Sequence, residues 1–374
     1  MNALHKYSFL LLKILLICLF LPVSLAGQEH SENPNGGPGQ KPFEWSSYLQ
    51  LRYTGVEDGE DLYALRRFKV MLQGYMKPHL EYYVQGIFKD GNQSNTDGRP
   101  YLQEAWIKYT AWKYAHVTVG QFKPPFGMER LQADWQLATI DRSQATDHLI
   151  PNGQLGDSFA RDRGLQLDAW LASKRLYYAA AVFDGNGANQ NFRGNGPLVT
   201  GRLLGVLYQA PAHSSRQDRI TFGGAVSTRR DHRQDFTQTL PGTASLGFAQ
   251  FSGRDTHLNL EASADVSPVS LRSEYFYAWF NPNLAPFVEV RASGFYVQGA
   301  YRFCHKLEAV AKYEGFDPNR AVRSRYDLRW TTLGLNWFIQ GNRIRLGADY
   351  VFKREAQNSF PNNALLVQFQ FFLH

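Results

Sequence analysis

The stretch Arg67-Phe68-Lys69-Val70-Met71-Leu72-Gln73-Gly74-Tyr75-Met76-Lys77-Pro78-His79-Leu80-Glu81-Tyr82-Tyr83-Val84-Gln85-Gly86-Ile87-Phe88-Lys89 decides the fold. Phe68, Val70, Leu72 and Met76 share one parity, and Arg67, Lys69, Met71, Gln73 and Tyr75 share the other. That is the two-residue period of a strand with one apolar and one wet face. Only Lys77-Pro78-His79 separates it from the next such run, Leu80 to Lys89. Strands joined by so short a turn are antiparallel neighbours, because a parallel pair needs a long crossover.

The same period runs outward from here to both ends. It predicts strands at 45–53, 67–76, 80–89, 102–109, 116–122, 164–171, 176–184, 199–209, 219–228, 256–266, 269–280, 290–303, 306–314, 329–339, 343–352 and 365–373, sixteen in all. The connections between them alternate. The even-numbered ones are short, as at 77–79, 173–175, 267–268 and 340–342; the odd-numbered ones are long, as at 90–101, 123–163, 185–198 and 229–255. An even strand number with short turns at one end and long loops at the other is the layout of an outer-membrane barrel. The expectation is therefore an all-β, 16-stranded antiparallel transmembrane β-barrel with long external loops. A secreted all-β binding protein without a channel would also use alternating strands, but has no reason to sort its loops by length. Closure follows from physics, since a sheet in hydrocarbon must have every backbone polar group paired and so no edge.

Parity assigns Leu49, Leu51, Val70, Leu72, Val84, Ile107, Val117, Val119, Leu165, Leu167, Ala179, Ala181, Leu258, Leu260, Leu346, Ala348, Val367 and Phe369 to the lipid face. Trp45, Tyr53, Trp106, Trp112, Tyr277, Trp279, Phe280, Trp337 and Phe371 near strand ends are candidates for the aromatic girdles. Composition agrees: aromatics are 14% of the 374 residues and Gly is 32, which suits strands and turns. Past the first 22 residues no apolar run reaches the length of a membrane helix.

Residues 1–26 read as a signal peptide: Lys6 and Lys13, an apolar stretch from Phe9 to Leu21, then Ser24-Leu25-Ala26 before Gly27. An N-terminal anchor helix is the alternative, with a core short for a bilayer. Residues 27–42 are a polar, Asn/Gly/Pro-rich leader without period, and the barrel occupies 43–374. Cys18 falls in the signal peptide, leaving Cys304 alone, so neither a disulfide framework nor a Cys-based zinc site is available.

The opposite parity points into the lumen and holds Arg52, Arg67, Lys69, Lys108, Arg272, Arg302, Lys312, Arg343 and Arg345, against Glu81, Glu104, Asp168, Glu261, Glu274, Glu308, Glu314 and Asp349. Guanidinium groups in a partly desolvated passage bind oxyanions bidentately, so this wall can favour phosphate-like anions; a mixed-charge lumen laced by ion pairs is the bland counterpart. The longest connection, 123–163, is long enough to be functional. Folded inward it sets the bore; it carries Lys123, Arg130, Arg142, Arg161 and Arg163, of which Lys123, Arg130 and Arg142 join the candidates for anion contact. As an external lid it would do neither.

Gly120-Gln121-Phe122-Lys123-Pro124-Pro125-Phe126-Gly127-Met128-Glu129 resembles the "GQFKxPFGxE" stretch of the phosphate-selective porin O/P family. Arg161-Asp162-Arg163-Gly164-Leu165-Gln166-Leu167 is similar to that family's "RDxGLQL" strand, Val182 to Gly187 to its "VFNGNG", Gly201-Arg202-Leu203 to its "GRL" and Gly334-Leu335-Asn336-Trp337 to its "GLNW". The resemblance runs from about Arg66 to the C-terminus. It implies a sixteen-stranded, homotrimeric porin of the outer membrane of a Gram-negative-type bacterium, with an inward-folded third loop, passing phosphate or polyphosphate by diffusion. A general or differently selective porin of the same fold is the alternative. The chain ends Leu373-His374 where the usual terminal residue is Phe.

Enzyme readings find no support: there is no Gly-x-Ser-x-Gly, no His-Glu-x-x-His, no Walker loop and no EF-hand spacing. Asp184-Gly185-Asn186-Gly187 opens like a calcium loop but lacks the closing acid. No cofactor or metal is expected. The formal charge, +7 for the whole chain, falls by two with Lys6 and Lys13, too small an excess for a nucleic-acid partner.

Overall fold

The computed structural model describes residues 41–90, 100–150, 159–191, 194–211, 217–283, 288–357 and 360–373. The signal peptide and all but the last two leader residues lie outside them. The described residues form sixteen strands: β1 Glu44–Val56, β2 Leu62–Lys77, β3 Leu80–Asp90, β4 Tyr101–Tyr109, β5 His116–Phe122, β6 Asp162–Leu171, β7 Leu176–Phe183, β8 Leu198–Gln209, β9 Arg219–Gln234, β10 Phe251–Val266, β11 Val269–Pro282, β12 Val290–Cys304, β13 Leu307–Asp317, β14 Leu328–Gln340, β15 Ile344–Phe352 and β16 Ala364–Leu373. Each strand pairs antiparallel with its sequence neighbours, and β1 closes on β16 from Ser47↔Leu373 to Val56↔Ala364. No described helix is long and apolar enough to cross a membrane. The strands do the crossing.

The two faces are the reverse of a soluble protein's. Leu51, Val84, Ile107, Val119, Leu165, Leu203, Leu271, Val297 and Leu335 stand exposed on the outer wall, while Gln50, Lys69, Asp168, Glu261, Lys312, Asn336 and Asp349 are buried inside. Apolar side chains outward and charges inward is the arrangement hydrocarbon selects, and it argues against a secreted binding protein.

Several sequence expectations are corrected. β2 begins five residues earlier than its period shows, so the first external connection shrinks to 57–61, shorter than the turn 210–218. β9 and β10 run on as a tall hairpin past the expected ends, and the fifth loop contracts to 235–250. On β7 the parity is inverted. Ala179 and Ala181 are buried, whereas Leu176 and Val182 are exposed, and Leu165↔Val182 and Leu167↔Ala180 pair along the outer face. Trp106 shares the inward parity of Glu104 and Lys108, and Phe280 is fully buried inside the barrel, so neither belongs to a girdle.

Candidate functional site: the barrel interior and its third loop

The connection between β5 and β6 lies against the inner wall, and the wall supplies what its backbone lacks. Glu274 on β11 accepts from the N–H groups of Met128 and Glu129 (2.6 and 2.7 Å), the open donors of the short helix Met128–Leu131. Tyr296 and Asn259 donate to the same carboxylate at 2.9 and 3.0 Å. Glu314 on β13 accepts from Gln144 N (2.6 Å) at the start of the helix Gln144–Leu149, whose cap Ser143 accepts from Thr146 N. Asp349 accepts from Ile140 N at 2.7 Å, and Arg345, Asn336 and Gln370 donate to the carbonyls of Leu137, Ala138 and Trp135. Three of the acids that parity placed in the lumen therefore hold the loop.

The loop's sequence fits this seat. Gly127 has φ +78, and a Cβ there would come within 2.7 Å of Ile150 Cδ1. Phe126 is fully buried, meeting the rings of Phe159, Phe276 and His257. With Leu149, Ile150 and the fifth loop's Phe236, Leu240 and Phe248 it joins one apolar cluster that fills the long-loop end of the barrel beside β7–β13. Gly294 on β12 lets the loop in: a Cβ there would lie 2.5 Å from Ala145 Cβ.

The remaining space is charged. On the long-loop side of the third loop lies a chamber of about 270 Å³ whose ionisable lining is Arg52, Arg66, Arg142, Lys312 and Lys353 with Asp141, Glu314 and Asp349. On the short-turn side lies one of about 380 Å³ with Lys69, Lys108, Lys123, Arg161 and Arg202 against Glu104 and Asp134. Cations exceed acids in both. Between the chambers Asp134 is a hub: it receives Lys69 Nζ (2.5 Å), Tyr48 Oη (3.0 Å) and Arg142, with Arg67 Nε at 3.6 Å. Burial alone would raise its carboxyl, but Arg67, Lys69 and Arg142 hold it well below the usual carboxylate range. Asp141, likewise lowered against its burial by Arg52, Arg66 and Arg67, faces Arg52 at 2.9 Å.

The twelve candidate cations separate into three groups. Arg52, Arg142 and Lys312 line the outer chamber, Lys69, Lys108 and Lys123 the inner one, and Arg67 lies between, donating to Gln50 Oε1 at 3.0 Å. Arg130 and Arg345 are engaged with the loop itself: Arg130 with Thr146 O (3.2 Å) and Asp147 (2.9 Å), Arg345 with Leu137 O (2.8 Å). Arg272, Arg302 and Arg343 sit at the short-turn end, where Arg272 faces Asp265 at 3.5 Å, Arg302 faces Glu308 at 3.1 Å and Arg343 is exposed in the turn after β14.

Sequence reasoning missed Arg66, Arg202 and Lys353. Arg202 was legible, since it alternates with Val199, Gly201 and Leu203. Arg66 was not: Gln50 pairs Arg67 and Leu51 pairs Leu65, so Arg66 is the extra residue of a bulge that breaks the parity rule.

A family model described as phosphate-selective porin O and P matches residues 44–372. Among solved structures the chain is similar to an anion-selective porin from Comamonas acidovorans, with 13% identity, TM-score 0.60, and 88% of this chain and 99% of that one covered. It is similar to the outer-membrane channel DcaP of Acinetobacter baumannii, with 11% identity, TM-score 0.60 and coverage of 93% and 100%. OmpT of Vibrio cholerae in a trimer form gives 11%, 0.57, 88% and 99%. At these identities the likeness shows the porin fold. Among curated proteins, no sequence matches the chain.

Proposed function

The chain belongs to the phosphate-selective porin O and P family, and on that premise we propose that this outer-membrane channel passes small hydrophilic solutes by diffusion and favours anions, phosphate-like oxyanions among them. One observation carries the preference: both chambers flanking the third loop have more cations than acids in their walls. An anion crossing the loop moves between two positive vestibules through a passage with low-dielectric walls, where the potential of fixed charges is focused. Guanidinium groups at Arg52, Arg142, Arg161 and Arg202, each already paired with a carboxylate (Asp141, Asp134, Glu104 and Glu261), contribute to that potential as charges rather than as open donor pairs. No step of bond-making is needed, and the reading is a channel, not an enzyme.

Export by the signal peptide 1–26 and assembly as a homotrimer belong to the same proposal, the second supported by the trimer form of the outer membrane protein OmpT of Vibrio cholerae. The test is the single-channel reversal potential in planar bilayers under a salt gradient, with phosphate titrated against the chloride current. We expect a reversal of anion sign and a chloride current that falls as phosphate is added. A cation-sign reversal overturns the preference, and a reversal at zero with no phosphate effect assigns a general porin.

A further inference from the structure

Aromatic residues are distributed unequally between the two chambers. The outer one has Trp330, whose face is taken by Lys353 Nζ, 4.7 Å from the ring centroid. The inner one is lined by Tyr48, Tyr83, Trp106, Trp135 and Tyr177. Tyr83 and Trp106, on adjacent strands, stack offset with centroids 5.4 Å apart and planes 22° apart, a two-ring apolar plate on the inner wall whose rings partly cover each other's faces. Trp106 is a half-buried ring that lines the chamber and packs on its other side against the apolar cluster, on a strand whose outer face already satisfies the membrane.

Cations stand beside the rings. Lys108 follows Trp106 by two residues on the same face of β4, so its ammonium lies one strand step toward the short-turn mouth; one of its three protons goes to Asp168 at 3.0 Å. Across the chamber the Arg202 guanidinium lies 6.0 Å from the centre of the Tyr177 ring, with its Nε and Nη2 donating to Glu261 at 2.9 and 2.6 Å, which leaves its Nη1 side for a ligand. The volume, about 380 Å³, falls in the range of small-molecule sites.

We infer that the inner chamber is a binding site for organic anions bearing a flat ring, aromatic carboxylates above all, with the ring on the Tyr83–Trp106 plate and the carboxylate toward Lys108 and Arg202. The inference deepens the anion-channel reading and rests on it. Inorganic phosphate uses the cations alone, and an aliphatic carboxylate of equal charge gains nothing from the plate. Ring stacking of this kind is worth between about 2-fold and about 10-fold in affinity.

The test uses the full channel in planar bilayers, with benzoate, acetate or phosphate added on the short-turn side and block of the chloride current measured. Benzoate is expected to block at a concentration lower than acetate by that factor. Trp106→Leu should bring benzoate to the level of acetate while leaving acetate and phosphate block unchanged, and Trp106→Phe should restore part of the difference. Equal block by benzoate and acetate in the wild-type channel overturns the inference while leaving the anion channel standing. It is also overturned if Trp106→Leu weakens all three anions alike. A cation-sign reversal with no block by any anion overturns both readings. If Trp106→Leu does not yield the heat-modifiable folded form, the wild-type comparison with Trp106→Phe decides alone.

Discussion

Beside β7–β13 the long-loop end of the barrel is dry, and beside β1, β2 and β13–β16 it is wet. In the dry part the third and fifth loops pack Phe126, Phe236 and Phe248 against Phe276 and Phe280, as in a soluble core. In the wet part the third loop meets the wall through Asp134, Asp141, Arg52 and Lys69, leaving water-accessible chambers above and below. The difference teaches that this barrel is not narrowed evenly. One side is filled by apolar packing, which leaves the open space on the other side, where charged side chains line it. On the proposed function, hydrophobic burial then places the charges that an anion would meet.

The sharpest way to break the contrast is to open the dry side. Phe276→Ala removes a fully buried ring against which the third loop rests, and should cost roughly 3–5 kcal/mol of folded-state stability. The measurement is the temperature at which the folded band disappears on an unheated gel, together with a raised single-channel conductance. Unmooring the loop without a cavity comes next. Glu274→Ala leaves the N–H groups of Met128 and Glu129, Tyr296 Oη and the Asn259 amide without their acceptor, at about 1–3 kcal/mol net once water enters the space the carboxylate vacates. Noisier open-channel current at nearly unchanged barrel content by circular dichroism is the expected signature.

A smaller effect sharpens the wet side. Burial pushes the Lys123 ammonium down to about 7, with Glu104 pulling upward and Arg161 and Arg142 pushing further down. A lowered lysine is charged below its folded value and neutral above it, so the inner chamber loses one cation as pH rises through about 7. Anion preference, read as reversal potential, should fall over that interval, and Lys123→Met should abolish the step. Smallest of all is Arg343→Gln in the exposed turn after β14, which should change stability by less than about 0.5 kcal/mol and leave the reversal potential unmoved.

The strands were legible because lipid and lumen impose opposite chemistry on alternate residues, as along Leu49-Gln50-Leu51-Arg52. Legibility failed where that contrast vanishes. In Leu176-Tyr177-Tyr178-Ala179-Ala180-Ala181 both faces are apolar or aromatic, and parity has nothing to distinguish. It failed again at Phe280, where loop packing makes an inner face apolar, and at Arg66, where a bulge resets the count. Of the candidate site, the cation-bearing wall could be read, but the duties of its members could not. Glu274, Glu314, Asp349 and Arg345 looked like pore charges and turn out to serve loop backbone, a partnership across more than a hundred residues that no local pattern encodes.

The third loop also has a bearing on the closure of the barrel. Within the span Asp134 to Asp141 it bonds to Tyr48 and Arg52 on β1, Lys69 on β2, Asn336 on β14, Arg345 and Asp349 on β15 and Gln370 on β16. Those strands flank the one junction that joins the beginning of the chain to its end. The loop is thus a clasp fastened across the joint between the two ends of the chain, and its partners stand together only where the first and last strands are paired. A half-made cylinder therefore carries no finished filter, and the sieve is completed by the same event that seals the wall.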